Sequence, residues 1–124
     1  KVKLVKTIEF TTKYKFPSLN EWYSSGKWGK RSKDTKLGKD DIKKHLSDFS
    51  VNFTFDFIKV EYHYHYKRRD CDNTITSIKY LLDSLTDIGW IKDDSPAFVK
   101  QVTLVFNEFL PANTQKFIIN FYKS

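Results

Sequence analysis

Two aspartates one residue apart, Asp70 and Asp72, are the side chains of this sequence best suited to chemistry. In extended backbone, residues i and i+2 point the same way, so a strand end would set both carboxylates in one patch. Carboxylates pressed together repel unless a proton or a cation separates them. A hard divalent ion such as magnesium takes oxygen ligands, and one or two carboxylates plus a phosphate are its usual company. The structural account of the pair is that one Asp caps the following helix while the other pairs with Arg68 or Arg69. Asp93 and Asp94 come after that helix, where the chain must return to a sheet. If the return brings them beside Asp70, three carboxylates meet next to a basic surface, an arrangement suited to phosphodiester hydrolysis. Lys79 is the cation best placed to neutralise a leaving oxygen. It shares nearly the helical azimuth of Asp72, although two turns of a continuous helix would separate them by ~10 Å. Its alternative role is an i,i+4 surface pair with Asp83.

Charge points the same way. Lys and Arg number 22 against 15 Asp and Glu, a net charge of +7. That balance favours an anionic partner, with nucleic acid the commonest candidate. Lys27, Lys30, Arg31, Lys33, Lys36, Lys39, Lys43 and Lys44 crowd one stretch together with Gly26, Gly29 and Gly38. The glycines and nearby serines predict a basic loop at about 24–38, either phosphate-contacting or simply solvated. Trp22, Tyr23 and Trp28 beside it would wedge against bases or be buried. The single cysteine, Cys71, excludes an internal disulfide framework and any thiolate-rich metal site, and reads as a reduced thiol. No apolar run approaches the ~20 residues that cross a bilayer, so no membrane association is expected.

The elements that must position these groups fit one domain over residues 1–124. Val2, Leu4, Ile8 and Phe10 share a parity and predict a first strand that ends before Pro17. Ile42, Leu46 and Phe49 recur at helical spacing over about 39–49, with Asp40 and Asp41 near the start of that helix. Residues 51–66 read as one long strand whose parity changes after Phe57, implying a bulge or a bend. On its second half Ile58, Val60, Tyr62, Tyr64 and Tyr66 oppose Lys59, Glu61, His63 and His65. A two-histidine metal site is geometrically possible there, and a polar sheet face with ordinary histidines is the alternative. Ile75, Ile78, Leu81, Leu82, Leu85 and Ile88 trace a helix over 73–88, capped by Asp72 or Asn73 and stopped by Gly89. Phe98–Phe106, with Phe98, Val102, Leu104 and Phe106 on one parity, and a segment carrying Phe117, Ile119 and Phe121 complete the strands. The expectation is a mixed α/β domain, about four strands packed against two helices in the order β-α-β-α-β-β.

Three segments together resemble a known family. Asp70-Cys71-Asp72-Asn73, Lys79-Tyr80-Leu81-Leu82-Asp83-Ser84-Leu85 and Gly89-Trp90-Ile91-Lys92-Asp93-Asp94 are similar to the core signature of the RusA-type Holliday junction resolvases. Pro17-Ser18-Leu19-Asn20 resembles the stretch after the first strand in that family. The resemblance implies a small homodimeric α/β endonuclease, bacterial or phage-associated and cytoplasmic, that resolves four-way DNA junctions by paired nicks using Mg2+. Carried over by motif, it makes Asp70, Asp72 and Asp94 the catalytic metal ligands and Lys79 the catalytic lysine. Asn73 and Asp93 become supporting residues, Asp93 as a neighbour or loop cap. DNA contacts would fall to Asn20, Lys27, Lys30, Arg31, Lys33, Lys36, Arg68 and Arg69. The interval from Asn73 to Lys79 is longer than the family's, as if Thr74-Ile75-Thr76 or an equivalent had been inserted. Two other functions are consistent with the same residues: a junction- or DNA-binding protein with weak or lost cleavage, and a small protein binding a host or regulatory partner.

Overall fold

The computed structural model describes residues 1–16, 28–66 and 75–124, with 28–35 described by backbone alone. Along the chain run β1 (Lys3–Thr12), α1 (Trp28–Leu46), β2 (Phe57–Tyr64), α2 (Ile75–Asp87), β3 (Val99–Phe106) and β4 (Gln115–Lys123). This is the expected α/β order, and the strands form one mixed sheet arranged β1-β4-β2-β3. β4 lies antiparallel to β1 and β2, whereas β2 and β3 are parallel. A parallel pair needs a crossover, and α2 supplies it.

The period-two alternation of β2 sorts the molecule into two faces. Ile58, Val60, Tyr62 and Tyr64 join Phe117, Ile119 and Phe121 of β4 in a core that also takes Ile42 and Leu46 of α1 and Ile78, Leu81 and Leu85 of α2. Each such side chain, fully buried, contributes roughly 1.5–3 kcal/mol. Lys59, Glu61 and His63 are on the opposite, half-exposed face. The strand is shorter than the pattern over 51–66 suggests. Residues before Phe57 are not strand; Phe53 and Phe55 instead set their rings edge-on against Phe121 from outside the ladder. The change of parity therefore marks the entry into β2. The register shift in this region falls in the pairing with β3, between Ile58 and Lys59, while the pairing with β4 runs without interruption.

The basic segment also differs from expectation. It is helical from Trp28 onward, so the loop expected at 24–38 becomes most of α1, and the helix expected at 39–49 ends at Leu46. Lys and Arg are good helix formers, and Gly38 has a role that has nothing to do with a turn. A Cβ on Gly38 would fall 2.9 Å from Cδ2 of Tyr80 and 3.2 Å from Cδ1 of Phe16. The glycine is the place where α1 comes close enough to α2 to rest on a buried tyrosine ring.

α2 ends where its sequence says it should. Gly89 takes φ 82°, Trp90 N–H donates to Leu85 O at 3.0 Å, and Gly89 N–H donates to Thr86 O at 3.1 Å. These paired bonds close the helix with a left-handed glycine, where a side chain would strain the backbone. β1 and β3 form the two edges of the sheet. β1 is regular only from Lys6 on; a register shift lies between Leu4 and Lys6, and Val2 and Leu4 are exposed instead of facing the core.

Candidate active site

The segment carrying Asp70, Asp72, Asn73, Arg68 and Arg69 lies outside the described residues, as do Asn20 and Lys27. Its two flanks are described, and both are tied to the start of β4. On the incoming side, His65 N–H donates to Thr114 O and Asn113 N–H donates to His65 O, while the Tyr66 ring is buried. On the outgoing side, the buried Ser77 hydroxyl donates to Oε1 of Gln115, which also accepts from the Tyr62 hydroxyl. The Gln115 amide in turn donates to Tyr14 O. A buried polar group left unpaired costs about 1–3 kcal/mol, so this satisfied knot fixes β2, α2 and β4 relative to one another. The described residues on either side of the acid-bearing stretch are thus held at neighbouring positions of the chain, Thr114 and Gln115.

Lys79 stands one helical turn into α2, with its side chain 57% exposed and Nζ 3.7 Å from Oδ2 of Asp83. Asp94 is exposed and lines a hollow of about 170 Å³ together with Lys39, Asp83, Thr86, Asp87 and Asp93. Asp83 therefore stands between the two, facing Lys79 on one side and the hollow on the other. Asp93 closes the loop: its Oδ1 accepts the Ser95 N–H at 2.9 Å, and the bonds from Ser95 hold this carboxyl below the usual carboxylate range. Asp87 is committed elsewhere, because its Oδ2 takes Lys39 Nζ at 2.9 Å and Lys43 Nζ at 3.1 Å. Those hydrogen bonds, Lys39 first, lower its pKa.

Of the basic residues singled out by sequence, Lys30, Arg31 and Lys33 fall on the backbone-only part of α1, and Lys36 follows them, exposed, on the same helix. Lys39 and Lys43 share a helical face at i,i+4 and are drawn to Asp87. In the sequence they are only part of a charged run; a helix continuing through that run is the signal that would have paired them. His63 is enclosed by polar neighbours, with Nε2 3.2 Å from Glu61 Oε1 and Nδ1 3.1 Å from Asn107 Nδ2. His65 Nδ1 meets Leu110 O at 2.6 Å. Among the described residues no group of three or more His, Cys, Asp or Glu side chains could hold a metal ion, and no helix is long and apolar enough to cross a membrane. In comparisons with known proteins, no family model matches the chain and no curated protein matches its sequence.

Proposed function

We propose that this protein is a RusA-like, magnesium-dependent endonuclease that resolves four-way DNA junctions as a homodimer in the cytoplasm of a bacterial cell, encoded by the cell or its phage. The observation that carries the reading is that the described residues flanking Asp70-Cys71-Asp72-Asn73, at the end of β2 and the start of α2, are both tied to the start of β4. Lys79 lies on the helix just beyond, and Asp94 lies in the loop after it. Magnesium held by Asp70, Asp72 and Asp94 would activate water and offset charge at phosphorus. Lys79 would meet the departing oxygen, and Lys27, Lys30, Arg31, Lys33, Lys36, Arg68 and Arg69 would grip phosphates on either side, with Asn20 near them. The reading carries a geometric condition. Asp94 lies beside Asp83, about 12 Å along the axis from the first residue of α2. The three carboxylates meet only if chain 67–74 doubles back beside the helix.

A paired assay of junction affinity and magnesium-dependent nicking tests this. Asp70→Asn, Asp72→Asn and Asp94→Asn should each abolish cutting while junction binding is kept or tightened, since negative charge is removed near phosphate. Lys79→Ala should lower cutting more than binding. Replacing Lys30, Arg31 and Lys33 together by alanine should weaken binding and reduce the logarithmic salt slope by about one unit per lost phosphate contact. An Asp70→Asn protein that still cuts would defeat the metal site. The pairing of Lys79 with Asp83 favours a second reading, junction binding without efficient cleavage; a parent protein that binds junctions and never nicks them would establish it.

A further inference from the structure

The half-exposed face of the sheet carries a chain of hydrogen bonds that runs from β1 to the end of β3. The Thr7 hydroxyl donates to Asn120 Oδ1 at 2.8 Å, the Asn120 amide donates to Glu61 Oε2 at 3.3 Å, and Glu61 Oε1 lies 3.2 Å from His63 Nε2. His63 Nδ1 meets Asn107 Nδ2 at 3.1 Å, and Phe109 N–H donates to Asn107 Oδ1 at 3.0 Å. The last bond fixes the proton positions. A backbone N–H can only donate, so the amide oxygen of Asn107 faces Phe109 and its NH2 faces His63. Nδ1 of His63 must then accept, which puts the proton of the neutral ring on Nε2, aimed at Glu61.

We infer that His63 and Asn107 form a proton-operated catch on the turn 107–114, closed while the imidazole is neutral and released when it is charged. An imidazolium carries N–H on both nitrogens, so protonation sets two donors, Nδ1–H and the Asn107 NH2, against each other. The other side of the ring favours the charge. Glu61 is a carboxylate held in place by Asn120, and a charge-assisted hydrogen bond is roughly twice as strong as a neutral one. The Asn107 contact is therefore the one that yields: its amide turns to offer Oδ1 to His63, and Phe109 N–H loses its acceptor. The turn carries the change onward. Leu110 N–H donates to Asn107 O at 3.2 Å, and Leu110 O accepts the His65 Nδ1–H at 2.6 Å. Loosening the turn takes that acceptor from a ring whose Nε2 is buried and, among the described residues, unpartnered. The His65 backbone meets the far end of the same turn at Asn113 and Thr114. The other charged groups on this face leave the balance to Glu61. Lys116, across from His63 on β4, is paired with Glu9 of β1 at 3.3 Å, and Lys59 lies over the Tyr122 ring. β3 sets uncharged Thr103 and Val105 beside Glu61 and His63, and Glu108 is exposed next to Asn107.

The test is NMR of the nitrogen-labelled full chain, titrated between about pH 8 and pH 5, the range in which histidines change charge. At the upper end of the range His63 should carry its proton on Nε2 alone. As it takes the second proton, solvent exchange of the Phe109 amide, corrected for the pH dependence of intrinsic exchange, should rise with the same midpoint. The rise should be about two- to tenfold, the effect of one net hydrogen bond. Asn107→Asp separates the catch from general loosening by acid. An aspartate keeps an acceptor for Phe109 N–H and offers its second oxygen to the His63 Nδ1–H. In that variant His63 should bind its proton about tenfold more tightly, and the Phe109 amide should stay protected throughout. A neutral His63 with its proton on Nδ1 would overturn the inference, and so would Phe109 exchange that ignores the His63 midpoint. An Asn107→Asp protein that releases Phe109 as the parent does would overturn it as well. These readouts use neither DNA nor metal, so the outcome is independent of the nuclease reading.

Discussion

α2 and α1 lie side by side and are held by different means. α2 has an apolar stripe: Ile78, Leu81 and Leu85 are buried, with Tyr80 sealed between the helices. α1 is mostly charged and sends Ile42 and Leu46 into the core. Its remaining attachments are polar or concave. Asp41 accepts the buried Thr12 hydroxyl at 2.8 Å, His45 stacks on Phe10 at 5.2 Å, Asp87 takes two of its lysines, and Gly38 gives room to Tyr80. A helix can be specified by what it presses into the core, or by a gap that lets another residue press into it. The first leaves a periodic trace in sequence, whereas the second leaves a glycine that looks like a turn.

The largest expected effect separates positions within the apolar helix. Leu81 is fully buried, so Leu81→Ala should cost about 2–5 kcal/mol. Leu82, which sequence periodicity assigns equally to the core, is only half-buried at its margin and should cost well below that, about 1 kcal/mol. Denaturant unfolding of the two variants reads the difference. Equal losses would mean that α2 is rotated from the face described.

Next in size is Gly38. In an ordinary helix, exchanging glycine for a side-chain-bearing residue gains up to about 1 kcal/mol. Here any Cβ meets the Tyr80 ring at less than van der Waals separation, and the fully buried ring has nowhere to retreat. Gly38→Val should therefore lose about 1–3 kcal/mol, the usual cost of overpacking. A Gly38→Val protein as stable as the parent would show that α1 stands off from α2, as a loop would.

The same contrast explains what was legible. The alternation of Ile58, Val60, Tyr62 and Tyr64, the stripe of α2 and its stop at Gly89 could be read from residue types, because each reflects a local period or a required φ. The extent of α1 could not: Gly26, Gly29, Gly38 and the nearby serines argue locally for a loop, and the neighbour that requires Gly38 is Tyr80, distant in sequence. The exposure of Leu4 on β1 and Val102 on β3 was also hidden, since both look like core until the strand order makes these strands the edges. At the candidate site, sequence could name Asp70, Asp72, Asp94 and Lys79 by motif. It could not foresee that Asp83 would lie between Lys79 and Asp94, or that Asp87 would be spent on α1, because both depend on how the helices lie together.

The smallest effect expected is the polar tie itself. Asp87 lies in the last turn of α2, where the helix dipole disfavours a carboxylate, and Lys39 and Lys43 offset that penalty from α1. Their hydrogen bonds lower its pKa in the folded state, so the folded protein holds the proton less tightly than the unfolded chain, whose Asp titrates near about 3.9. The stabilisation is then fully present above the unfolded value and is lost as pH falls through the lowered folded value. The carboxylate is partly exposed, and solvent screening limits such pairs to about 0.2–1 kcal/mol each. Asp87→Asn should accordingly melt a few degrees below the parent at pH 7. The gap should narrow as the medium is acidified past the unfolded pKa, and shrink at neutral pH in 1 M salt, where the screening length falls to about 3 Å. Other acids held low, Asp56 by Ser124 and Asp93 by Ser95, are common to both proteins and cancel in the difference. A gap that stayed constant across pH and salt would mean that the two helices meet without this charge pair, leaving Gly38, Ile42 and Leu46 to hold α1 in place.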